Sequence, residues 1–194
     1  KEELEKAFEL EPNDSAALKT AGDIAFQESD FKTANDYYQK ALSNAPNNSY
    51  KNEVTETLVY VNVELKDYDK AIQYSNELLS SNMDNPDIYY NVGVIYQRLA
   101  TEFYDSANED YKECIKSDNV PSDILNTSYS SFNNALEMTE LALNYFMDAS
   151  MLEETDNQST KTAITDMKRL RKNIRNIYMP SLEKLASDNS IELN

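Results

Sequence analysis

The chain has 194 residues, long enough for one domain with a sizeable core. Apolar residues make up 40% of it, but there are only 2 glycines and 5 prolines; strands and tight turns consume both, so long helices with few connections are favoured. A formal charge of −17 argues against a nucleic-acid partner, because neutralising phosphates needs a basic surface.

The absence of His removes the Ser-His-Asp and Cys-His nucleophilic arrangements and every His-based metal site. One cysteine, Cys114, leaves no internal disulfide and does not fix the redox compartment. Apolar runs are only a few residues long, so no membrane insertion is expected. Lys1 opens in the middle of a helical pattern, which suggests a piece of something longer.

In chain order, Leu4, Ala7 and Pro12 read as the end of a helix that precedes the first full unit. Residues 21–48, AGDIAFQESDFKTANDYYQKALSNAPNN, then place Gly22 on a first helix and Asp30-Phe31 at a turn. Ala34, Tyr38 and Ala41 follow on one face of a second helix, and Pro46 ends it. This pattern resembles the tetratricopeptide repeat, a helix–turn–helix unit of 34 residues. Small residues at Gly22 and Ala34 let the two helices approach while Tyr38 fills the space beside them. The second unit restates the pattern with Leu58, Asp67-Tyr68, Ala71, Tyr74 and Leu78, after a loop lengthened around residues 47–52. The third begins with Tyr89, Val92, Gly93 and Tyr96.

The third unit departs from the pattern. From Tyr96 to Ala107 is eleven residues where a regular unit has nine, and eleven residues make roughly three full turns of continuous helix. Val92, Tyr96, Leu99, Phe103, Ala107, Tyr111 and Cys114 form one stripe, which predicts a single helix from about 86 to 117. An ordinary hairpin bent at Asp105-Ser106 is the alternative. The turn signal SDNVPSD, with Ser122 or Asp123 as cap, precedes a return helix bearing Leu125, Tyr129, Phe132, Leu136, Leu143 and Phe146. Thr155-Asp156-Asn157 stands in the next inter-repeat loop. A final stripe of Ile164, Met167, Leu170, Ile174, Ile177 and Tyr178 is stopped by Pro180, which starts a short closing helix.

The expected fold is therefore all-α, a single domain over residues 1–194. Its parts are a partial helix (1–13), two repeats (14–48 and 49–85), an elongated repeat (86–157) and two C-terminal capping helices (158–194). The resemblance implies a right-handed α-α superhelix whose first helices line a concave groove for a peptide or partner helix. The groove positions it implies are Lys19, Asp23, Phe26 and Gln27; Glu53, Glu56, Tyr60 and Glu64; and Asp87, Tyr90, Val94, Gln97 and Arg98. One subgroup of the family clamps acidic chaperone tails with Lys, Asn and Arg. Here Lys19 is kept, but Asp23, Asp87 and Asn91 replace the expected Asn, Lys and Arg. A basic or neutral ligand fits such a groove better.

The leading expectation is a non-enzymatic protein-interaction scaffold with no cofactor and no metal, binding a protein or peptide partner. The alternative is an oligomerisation or docking module acting through the elongated hairpin, with the exposed members of Phe103, Tyr104, Tyr129 and Phe132 near its tip as contacts. Resemblance to bacterial repeat proteins with similarly lengthened units implies a periplasmic or secreted envelope component, with the cytoplasm the other option. Three features read as structural rather than functional. Cys114 is a small core residue, Glu153, Glu154 and Asp156 are a solvated acidic face, and the run KRLRKNIR (168–175) is the polar face of a capping helix.

Overall fold

The computed structural model describes residues 11–117, 119–154 and 157–194. The expected partial helix over 1–13 falls almost wholly outside them, as do Thr155 and Asp156. The described residues are helical with no strand among them, and they form two compact units that meet in sequence at Met83 and Asp84.

The first unit has four helices: α1 (Ser15–Gln27), α2 (Phe31–Ser43), α3 (Asn48–Glu64) and α4 (Tyr68–Ser81). Each starts where a short polar side chain caps free backbone donors: Asp14 accepts from Ala16 N, Asp30 from Thr33 N, Asn47 from Tyr50 N and Asp67 from Lys70 N. The α1–α2 and α3–α4 turns are alike. Asp30 N donates to Ala25 O at 2.9 Å, and Asp67 N to Asn62 O at 2.8 Å, with Ser29 and Lys66 at φ 60° between helix and cap. These are six-to-one closures with a left-handed residue, a conformation usually given to Gly.

Inside the α1–α2 pair, a methyl group at Gly22 would meet Tyr38 Cε1 at 2.7 Å, so only Gly allows the ring to lie there. Tyr38, Leu18, Ala34, Ala41, Val54, Leu58 and Val61 fill this core. Beside it, buried Asn62 donates to Leu58 O at 2.7 Å and to Asn35 Oδ1 at 3.2 Å.

The second unit opens with α5 (Pro86–Cys114), 29 residues without a break at Asp105-Ser106, and returns through α6 (Ser122–Leu152), 31 residues. The close approach repeats here, a methyl at Gly93 meeting Phe146 at 2.6 Å. Neither Ser122 nor Asp123 caps α6; Pro121 occupies that position and no side-chain cap bond forms. Between the arms, buried Ser128 donates to Ala107 O at 2.8 Å.

The two closing helices differ from expectation in how they join. Helix α7 (Gln158–Asn173) passes into one π-helical turn, Ile174–Tyr178, and on into α8 (Met179–Asp188) with helical dihedrals throughout. Pro180 does not stop the rod. Proline cannot donate and crowds the preceding turn, and the wider turn, with Met179 N bonded to Ile174 O, makes room for it. Ser181 Oγ also caps Ile177 O at 2.6 Å. A second reason lies in the spacing. Ile174, Tyr178, Leu182 and Ala186 recur every fourth residue, which overshoots a 3.6-residue turn by about 40° each time. One π turn absorbs much of that drift, so Ile174, Leu182 and Ala186 all stay on the buried side. Ile177, placed on the stripe by sequence, is turned out to 56% exposure.

The second unit is thus three long rods, α5, α6 and the joined α7–α8. Near the α5–α6 turn, Leu182, Ala186 and Ile174 pack with Ala107, Cys114, Leu125, Phe132 and Ala135. Toward the other end, Ala163 and Met167 pack with Ala142, Leu143 and Phe146.

Candidate protein-binding face

In the first unit, α1 and α3 present side chains to one another. Lys19 sits between two carboxylates, 3.2 Å from Asp23 and 3.3 Å from Glu53 on the neighbouring helix. Partial burial works against its ammonium, but Asp23 and then Glu53 outweigh that, so its pKa lies above the usual lysine value. Asp23 also accepts from Tyr38 Oη at 2.7 Å, and Tyr50 Oη donates to Ser15 O at 2.6 Å. Burial, then the bond to Asp23, pushes the Tyr38 phenol far above its ordinary value. Lys19 and Asp23 are therefore held by their own unit.

Around this anchored pair the face is acidic and open. Glu53, Glu56, Glu64 and Gln27 are exposed, and Tyr60 is 50% exposed. Phe26 is half-buried, its ring edge-on to Phe31 at 5.5 Å. Among the eight residues expected here, the single cation is the one already engaged.

The remaining expected residues belong to the second unit. Asp87 and Arg98 are exposed on α5. Tyr90 and Val94 pack against the core that α6 and α7 share, with the Tyr90 ring 5.4 Å from Phe146. Tyr90 and Gln97 line a polar cleft of ≈ 340 Å³ with Gln158, Thr162 and Asp166 of α7. Val94 is thus largely a packing residue, while Tyr90 and Gln97 face the start of the third rod.

At the hairpin tip, one of the four rings of the alternative site is removed from solvent and three are half-buried. Phe132 is fully buried, and Tyr178 stacks on it at 4.7 Å. Tyr104 shares a 2.9 Å hydrogen bond with the Tyr178 hydroxyl, and Phe103 and Tyr129 pack against the same cluster. The closing rod supplies Tyr178 as the partner of Tyr104 and Phe132, and sequence reading missed the Tyr104 contact because it spans 74 positions.

The basic run is divided. Arg171 and Arg175 both reach Glu140 of α6, at 3.0 and 2.8 Å, and Arg169 pairs with Asp166 at 2.8 Å. Lys168 and Lys172 are exposed. Cys114 is buried, and burial, followed by Asp110, Glu113 and Asp123, pushes its thiol pKa up, the opposite of an activated thiolate. Of the acidic trio, Asp156 lies outside the described residues, and Glu153 accepts from Thr160 Oγ1 at 2.5 Å. Among the described residues there is no cluster of three potential metal ligands, and no helix is long and apolar enough to cross a membrane.

The fold and this face define a class: among the described residues an all-helical protein, whose first unit is two helix–turn–helix pairs sharing one turn geometry. No family model matches the chain, and no curated protein matches it. Solved structures similar to it include YrrB, a TPR protein with an unusual peptide-binding site, at TM-score 0.45 and 19% identity over 93% of this chain and 79% of that one. A MamA RS-1 double mutant gives 0.44 and 16%, covering 88% and 82%. A crystal structure of MamA gives 0.39 and 16%, covering 93% and 97%. Likeness at this level is remote, so the functional reading rests on this chain's own residues.

Proposed function

We propose that this chain is a non-enzymatic protein-binding scaffold, and that the α1–α3 face receives a basic segment of a partner protein, extended or helical. The observation that supports this reading is the charge state of the face. Its lysine is held between Asp23 and Glu53, while Glu56 and Glu64 stand exposed beside Tyr60. A tyrosine at such a place offers a flat ring and a hydroxyl at low entropy cost, and the flanking carboxylates select cations and repel acidic tails. Because these charges are exposed, they contribute more to selectivity and encounter rate than to affinity.

The test is fluorescence anisotropy with a labelled Lys/Arg-rich peptide, alongside a Glu-rich peptide of equal length. Binding of the basic probe alone is expected. Glu53→Lys with Glu56→Lys should weaken it about tenfold or more, roughly 1.4 kcal/mol. Equal affinity for both probes, or no loss in the double variant, would overturn the reading.

A further inference from the structure

Charge is segregated along this chain. Residues 158–178 carry six cations (Lys161, Lys168, Arg169, Arg171, Lys172 and Arg175) against one acid, Asp166, in a protein whose net charge is −17. Arg171 and Arg175 are tied to Glu140, which holds the rod on α6, while Lys168 and Lys172 are exposed. With Arg175, paired with Glu140 yet 56% exposed at its side chain, they follow positions i, i+4 and i+7, one stripe roughly 10 Å long.

The α1–α3 face is the complement. Glu53, Glu56, Tyr60 and Glu64 fall at i, i+3, i+7 and i+11 along α3, a row of roughly 16 Å with a half-exposed ring inside it. It is longer than the basic stripe and opposite in sign. We infer that the occupant of the α1–α3 face is the basic α7 rod of a second copy of this chain. The inference rests on the reading of that face as a site for basic segments and names its partner.

Two molecules of net charge −17 repel at long range, but screening confines that repulsion to about 8 Å at physiological salt. At contact only the facing groups matter, and these are of opposite sign. Since every copy carries both surfaces, the contact either closes as a two-fold dimer that uses both, or propagates from copy to copy.

Sedimentation velocity on the full 194-residue chain tests this. A mass above 22.2 kDa is expected at about 0.15 M salt and collapse to 22.2 kDa at about 1 M. Lys168→Glu with Lys172→Glu should give monomer, and so should Glu56→Lys with Glu64→Lys. All four reversals in one chain should restore the association, which a misfolded variant could not do. A wild-type monomer at 0.15 M salt, or a fourfold variant that fails to recover, overturns the inference. If that monomer still binds the basic probe, the self-docking idea alone falls. If it binds neither, the reading of the face falls with it.

Discussion

At the scale of single residues, two glycines and a few hydroxyls do more to set this structure than its many charges. Gly22 and Gly93 each lie under an aromatic ring of the partner helix, Tyr38 and Phe146, and both rings are buried. Tyr38 is also tethered to Asp23. Overpacking of this kind costs about 1–3 kcal/mol, which outweighs the roughly 1 kcal/mol that Ala gains in helix propensity. Gly22→Ala and Gly93→Ala should therefore each lower the thermal midpoint, measured by circular dichroism. Ser29 gives the opposite case. It holds φ 60° in a turn where Gly is at ease, so Ser29→Gly should raise stability by about 0.5–1 kcal/mol in a urea titration. The half-buried Tyr104 phenol contributes to stability at alkaline pH. Tyr104 is pushed up to about 12 by burial and then by its bond to Tyr178, while the same group in the unfolded chain titrates near 10. A folded pKa above the unfolded one gives stability that is complete below pH 10 and lost between about 10 and 12. Unfolding followed by tyrosinate absorbance should steepen in that window, and Tyr104→Phe should soften it.

At the scale of elements, the long hairpin depends on the rod that covers it. Leu182 is fully buried among Leu125, Phe132 and Ala107, so Leu182→Ala should cost about 2–5 kcal/mol. The loss should be local at first: residues 179–194 should gain hydrogen exchange before the first unit does. Retained protection there would contradict the packing described. The continuity of α5 was legible because no Gly or Pro interrupts residues 94–120 and the apolar stripe keeps helical phase. The π turn was not. Pro180 reads as a stop in one dimension, and only the need to keep Ile174 and Leu182 on one buried side turns it into a bulge. The N-terminal cap of α6 was misread for a related reason. Ser122 and Asp123 are good capping residues, but Pro121 fixes the chain so that both fall inside the helix.

At the scale of the whole molecule, 35 acidic against 18 basic side chains make self-repulsion a standing cost of the compact state. Salt should therefore raise the thermal midpoint as ionic strength goes from about 0.01 to 0.5 M, even while it dissolves contacts between exposed opposite charges. The two effects separate cleanly, one read by melting and the other by mass. Of the face that the repeat resemblance implies, Lys19 and Asp23 of α1 meet Glu53 of α3, while Glu56, Tyr60 and Glu64 are exposed along α3. Sequence could not tell that Tyr38 and Glu53 reach Asp23 and Lys19 from other helices. Nor could it tell that Val94 packs inward under α7.

By itself, the sequence determined the helical class and the small-and-aromatic contact of the first helix pair, and it favoured an unbroken α5. Each follows from periodicity, caps and the scarcity of Gly and Pro, which act over a few neighbouring residues. Tertiary structure alone decided which aromatic rings are covered, which charges are paired and that Pro180 is accommodated within the closing rod. Those outcomes depend on side chains brought together from positions 15 to 74 residues apart, and no local pattern encodes such meetings.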